Sequence, residues 1–176
     1  MELHPAVMME LTMQRIATAL VLALAAAMPA RAEDAIVTYK SLAPDIAFDL
    51  ARAAMNKCRK DGYQVAIVVL DRFGIPLATL RDRFAPAMAI DTANGKAWTA
   101  VTFTRNSGDF AKAVKDGSLS AGLANLPKVT PLAGGLLIQG GGATLGAVGV
   151  AGAPGGDKDE ACAKAGLEAV QDKLDF

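Results

Sequence analysis

Apolar residues gather first in Val65-Ala-Ile-Val-Val-Leu70 and again in Leu77-Ala-Thr-Leu80, with Asp71-Arg-Phe-Gly-Ile-Pro76 between them. Apolar, partly β-branched runs joined by a segment holding Gly and Pro read as strand, tight turn and strand. Nothing polar interrupts Ala66 through Leu70, so the first strand is expected to be covered on both faces. Ahead of it, Leu42, Ile46, Leu50, Ala54 and Cys58 recur every four residues, which predicts a helix over 44–61 with one apolar stripe. Pro44 opens this helix, Asp45 and Asp49 lie in its early turns, and Lys57, Arg59 and Lys60 lie in its last, as the helix dipole favours. Gly62 is its expected stop.

After the hairpin, residues 83–90 read as an irregular loop around Pro86. Asp91 or Thr92 is expected to cap a helix over 93–103 with Trp98 buried, and Ser107 to cap a short helix reaching 114. Residues 116–129 mix small, polar, Gly and Pro residues and read mostly as loop. Leu136-Leu-Ile-Gln139 and 143–150 flank Gly140-Gly-Gly142, a second hairpin. These glycines do not make G-x-G-x-x-G, because Leu145 holds the third position and no helix follows; a nucleotide-binding loop is excluded. The last helix opens at Asp157, with Asp159 and Glu160 expected on a solvated turn as dipole compensation rather than as metal ligands. Its apolar face includes Cys162, Ala165, Ala169, Val170 and Leu174. The order helix, hairpin, helix, helix, hairpin, helix gives an α+β fold, an antiparallel sheet with helices packed on its faces, and 125–132 is a candidate fifth strand.

Composition narrows the function. Lys plus Arg and Asp plus Glu both number 18, so the net charge is zero, and only 5% of residues are aromatic. A nucleic-acid partner held through phosphates or base stacking is therefore not expected. Residues 16–28 (IATALVLALAAAM) are apolar and uncharged, preceded by Arg15 and followed by Ala30-Arg-Ala32. That is the layout of a cleaved secretory signal peptide over 1–32, ahead of one domain over 33–176 in a periplasmic or secreted protein. The run is too short for the roughly 20 residues of a membrane span. Glu2 and Glu10 suit a basic leader poorly, which points to Met13 as the true start. The chain's one histidine is His4, inside the segment expected to be removed, so histidine-based catalysis and histidine metal ligation fall away. In an oxidising compartment Cys58 and Cys162 are most simply a structural disulfide, with two separate buried thiols as the alternative.

Several phrases taken together, Val68-Val-Leu-Asp-Arg-Phe-Gly74, Leu80-Arg-Asp82, Lys96-Ala-Trp-Thr-Ala100, Ala133-Gly-Gly135, Gly149-Val-Ala-Gly-Ala-Pro154 and Asp159-Glu-Ala-Cys-Ala163, resemble the GlcG/HbpS family (DUF336), which includes the C-terminal domain of PduO. The resemblance spans about 41–174 and is nearest to the exported HbpS-like branch. It implies a profilin-like, five-stranded antiparallel sheet, homo-oligomers, haem binding with slow haem degradation, and redox sensing with a periplasmic or membrane sensor partner. Carried onto this chain, it marks Arg81, Asp82, Lys96 and Thr99 as a ligand-binding patch, with Arg105 further out and Thr99 as the implied axial ligand. Met55, Met88, Tyr39 and Tyr63 are the other side chains that could reach iron, and Lys and Arg could pair with haem propionates. A plainer reading makes Asp71, Arg81 and Asp82 turn and strand-edge ion pairs, with Thr99 bonding back within its helix. Haem binding therefore competes with two alternatives. One is a binding module for another small organic ligand or a partner protein. The other is an enzyme on a small organic acid, with Arg81 and Lys96 holding the carboxylate and Asp82 as base. Binding ranks above catalysis, because a carboxylate beside cations is a weak base.

Overall fold

The computed structural model describes residues 36–174; the expected signal peptide and the candidate start at Met13 lie outside them. The chain divides into two units, Met1–Tyr39 and Lys40–Phe176, and the fold lies in the second. Helix α1 spans Pro44–Lys60 with Pro44 at its start and its basic residues in the last turn. Leu50, Ala54 and Cys58 are buried along the anticipated stripe, and Gly62 follows the helix with φ +85°. Strands β1 (Ala66–Asp71) and β2 (Pro76–Arg81) form the first hairpin. Its turn is closed by Asp71, whose Oδ1 accepts the N–H groups of Phe73 and Ile75 at 2.8 and 2.9 Å.

Helix α2 covers Ala89–Phe103, four residues earlier than expected, so Asp91 and Thr92 lie inside it and Met88 is the N-cap position. Helix α3 is Ser107–Lys115, preceded by Asn106. A 3-10 turn at Ala121–Asn125 interrupts the long connection. Strands β3 (Gly135–Gly140) and β4 (Ala143–Ala151) make the second hairpin, and α4 spans Gly156–Glu168 before a final 3-10 turn at Gln171–Lys173.

The sheet is antiparallel in the order β2-β1-β4-β3. It has four strands among the described residues, not five. Residues 125–132 do not pair with it, for a local reason. The N–H groups of Gly135 and Leu137, alternate residues and thus on one edge of β3, are taken by Ser107 Oγ at 2.8 Å and Asn106 Oδ1 at 3.1 Å. The start of α3 thereby occupies the edge a fifth strand would need. Ser107 serves this edge, donating to Leu132 O, rather than capping its own helix.

Both faces of β1 are covered. Ile67 and Val69 join Leu50, Ala54, Val148 and Val150 under α1 and α4, while Val68 and Leu70 meet Ala93, Ala97 and Ala100 of α2. Trp98 is half-buried beside this second cluster. Helix α2 sits unusually low on the sheet, because a Cβ on Gly149 of β4 would lie 1.9 Å from the Ala93 carbonyl oxygen. The colliding atom is backbone and cannot rotate away. Gly149→Ala is therefore expected to cost at least about 3 kcal/mol, beyond ordinary overpacking, read as a lower urea midpoint at unchanged slope. An unchanged midpoint would mean that α2 can lift off the sheet freely.

Cys58 of α1 and Cys162 of α4 are fully buried and joined as a disulfide with Cα atoms 5.5 Å apart. The two helices approach closely beside it, where a Cβ on Gly166 would come within 2.8 Å of Leu50 O.

Candidate functional site

A cleft of about 450 Å³ opens where the loop after β2, the first turns of α2, the segment before β3 and the β4–α4 connection converge. Its walls are mostly small or apolar: Pro86, Met88, Ala89, Leu132, Ala133 and Ala151. Met88 and Leu132 are the large apolar side chains exposed at its mouth, at 69% and 53%.

The floor carries charge. Lys96 and Asp159 both line the cleft, are 2% and 3% exposed, and pair at 2.6 Å through Lys96 Nζ and Asp159 Oδ2. Lys96 also donates to the Val150 carbonyl at 2.9 Å, and Asp159 Oδ1 accepts the Ala153 N–H at 3.0 Å. The pair thus ties α2, β4 and α4 together beneath the cleft. Gly134 (φ +116°) makes room for it: a Cβ there would lie 2.8 Å from Asp159 Cβ and 3.0 Å from Lys96 Nζ. Burial pushes the Asp159 carboxyl above its ordinary value, and the hydrogen bond and charge of Lys96 oppose this only in part. Asp159 is therefore not on a solvated turn as its acidic neighbours suggested. It is the functional-site residue that the sequence reading missed.

Of the ligand-binding patch marked in the sequence, Arg81, Asp82, Lys96, Thr99 and Arg105, Lys96 alone lines the cleft. Thr99 is fully buried one turn further along α2; its hydroxyl donates to Gly95 O at 2.7 Å and accepts the Thr130 N–H at 2.8 Å. It thereby fastens the segment that supplies Leu132 and Ala133 to the wall. Arg81 is exposed and donates to Ala85 O at 2.6 Å, bracing the loop that supplies Pro86 and Met88. Asp82 is buried and accepts from Arg59 Nε at 2.9 Å; its Oδ2 has no hydrogen-bond partner among the described residues. Neither Arg81 nor Lys96 pairs with Asp82, so the carboxylate-clamp arrangement is not assembled. Arg105 is exposed on another part of the surface with Asp109 and Lys112. Met55 is buried in the core and Tyr63 packs against that core, so of the possible iron ligands in the described fold Met88 is the one at the cleft.

The α+β domain thus carries a mostly apolar cleft over a neutralised ion pair, of a size that small-molecule sites share. The chain belongs to the HbpS-like family: the model described as "Haem degrading protein HbpS-like" matches residues 42–168. Among solved structures, a double mutant of HbpS from Streptomyces reticuli is 36% identical, with TM-score 0.73, covering 82% of this chain and 97% of that one. A second HbpS structure is 35% identical, with TM-score 0.74, covering 80% and 98%. The haem complex of PduOC is 25% identical, with TM-score 0.69, covering 74% and 95%. No curated protein sequence matches the chain.

Proposed function

We propose that this chain is an exported haem-binding protein that receives one edge of the tetrapyrrole in the cleft above Lys96 and Asp159. The cleft itself carries the reading: its walls suit a flat apolar macrocycle, and the Met88 thioether at its mouth is a soft ligand suited to iron. Membership of the HbpS-like family and the haem complex of PduOC support the choice of ligand. The apolar run followed by Ala30-Arg-Ala32 and the buried disulfide support export. Bound haem would supply iron redox chemistry, and slow haem breakdown or a redox-sensing role with a membrane partner would follow from that. Homo-oligomer formation belongs to the same reading.

In this arrangement Lys96 and Asp159 shape the floor, Met88 would be the side chain offered to the iron, and Thr99 would act only through the wall it fastens. Titration of the protein from Glu33 onward with haemin is expected to shift the Soret band and saturate at about one haem per subunit. Met88→Ala should weaken binding about tenfold, roughly 1.4 kcal/mol, and move the band of the remaining complex. Thr99→Val, which keeps the shape but loses both hydrogen bonds, should weaken binding without moving the band, and Thr99→Ser should restore it. A band that moves in Thr99→Ser or Thr99→Val but stays fixed in Met88→Ala would return the iron to Thr99. A haemin spectrum indistinguishable from buffer would reject the ligand.

A further inference from the structure

We infer that the cleft selects tetrapyrroles by edge, admitting a macrocycle only through a side free of carboxylates and leaving its acidic groups in water at the mouth. This rests on the tetrapyrrole reading and adds the class of macrocycle that the site accepts. A buried lysine in a ligand cleft ordinarily invites an anion. Here that invitation is weakened, because the charge of Lys96 is already matched by Asp159 and two of its three N–H bonds are given, to Asp159 Oδ2 at 2.6 Å and Val150 O at 2.9 Å. The second carboxylate oxygen, Oδ1, is held by the Ala153 N–H. The floor is therefore neutral as a pair, with its side-chain oxygens committed.

A ligand carboxylate pushed to the floor would have to be stripped of water beside Asp159, a like charge, with no cation but the paired Lys96 among the described lining residues. Charge at the mouth does not help. Asp157 lines the rim, and its side chain is 72% exposed and paired with Lys158 at 3.1 Å. The remaining wall, Pro86, Ala89, Leu132 and Ala151 among others, offers apolar surface, which favours methyl, vinyl or ethyl substituents. A macrocycle with both acids on one side satisfies these demands. One with an acid on every pyrrole ring, alternating with methyls all the way round, does not, because every edge it presents carries a carboxylate.

Metal-free porphyrins test this without iron ligation. Mesoporphyrin IX, whose propionates share one edge, is expected to bind and to compete with haemin. Coproporphyrin I, whose propionates and methyls alternate so that every edge carries a carboxylate, should bind at least about tenfold more weakly, both read from the Soret band. Equal affinity for the two would overturn the edge selection while leaving the cleft as the haem site. Haemin binding with no response to mesoporphyrin would also overturn it, because attachment would then depend on iron alone. No binding of haemin or mesoporphyrin would remove the tetrapyrrole reading and this inference with it. Asp159→Asn, shown to be folded by its cooperative melt, should narrow the gap by leaving Lys96 available to a carboxylate. A gap unchanged in that folded variant would overturn the part assigned to the ion pair, and the wild-type series decides the rest should the variant not fold.

Discussion

Replacing Cys58 and Cys162 together by alanine is expected to lower the melting temperature by on the order of 15 °C while leaving the fold and the proposed haem binding in place. The bridge closes a loop with a sequence separation of 104. In the chain-entropy model, constraining a loop of that length in the unfolded state contributes about 4–5 kcal/mol, which converts to that shift for a domain of this size. The bridge and the cleft share α4: Asp159 of the cleft floor lies three residues before Cys162, while Cys162 itself is fully buried in the cluster with Ile67 and Val69. Ligand affinity should hold at temperatures where the variant is folded and α4 keeps its place, and a folded variant with weakened binding would show that the bridge positions Asp159. Both sulfurs are fully buried, so reductant added to the native protein should act slowly, through opening of the α1–α4 contact. A loss of only a few degrees would show that the close packing of Gly166 on Leu50 holds the two helices without the bridge.

What the sequence made legible is what neighbouring residues decide. The four-residue repeat from Leu42 to Cys58 and the basic last turn locate α1 to within a residue. The uninterrupted run in β1 correctly implies burial on both faces, and Asp71 with Gly74 makes the hairpin turn. The cysteine pairing was readable for a different reason, since two cysteines in a chain expected to be exported have one simple partner each.

The residues that build the cleft are harder to read because their partners are distant and chemically ordinary. Asp159 stands among acidic neighbours at a helix start, where solvated carboxylates are common, and its partner Lys96 is 63 residues away. Nothing local distinguishes it from Asp157, which is exposed. Arg81, Asp82 and Thr99 were marked as a patch from resemblance, yet each spends its polar atoms elsewhere: Arg81 on Ala85, Asp82 on Arg59, Thr99 on Gly95 and Thr130. Sequence proximity on α2 placed Lys96 and Thr99 together, but the helix turns Thr99 away from the cleft and under the segment before β3. One signal was available and not used. Glycines inside strands often mark a close backbone approach, and Gly135 and Gly149 match Ala93, Ala97 and Lys96 of α2, which sets how low that helix lies and so fixes the depth of the cleft floor.

Lys96→Met is expected to destabilise the protein by about 3–5 kcal/mol near neutral pH, because it leaves the buried Asp159 without its countercharge. The size of the loss should depend on pH in a determined direction. The folded-state pKa of Asp159 is raised above its ordinary 3.8 even with Lys96 present, burial being the larger cause. A raised value means that the folded state holds a proton the unfolded state releases. The stability contributed by this group is thus fully present below pH 3.8 and is lost as pH rises through the raised value. Removing Lys96 removes the opposing pull and moves that window upward. The variant should therefore differ most from the wild type at about pH 8, where Asp159 must be either ionised without a partner or protonated against the solvent, and less at about pH 5. Melting curves at the two pH values check this, with Asp159→Leu and the Lys96→Met/Asp159→Leu double variant completing the cycle. The double variant should recover much of the loss, short of full recovery because the Ala153 N–H and Val150 carbonyl each lose a partner. A Lys96→Met deficit that grows toward acid pH would contradict the sign, and strictly additive single variants would show that the two charges do not act as a pair. Recovery in the double variant would show that α2, β4 and α4 hold together without the hydrogen bonds of this ion pair, so that stability demands only that neither charge be buried alone, and the pair itself would be left for the choice of macrocycle edge.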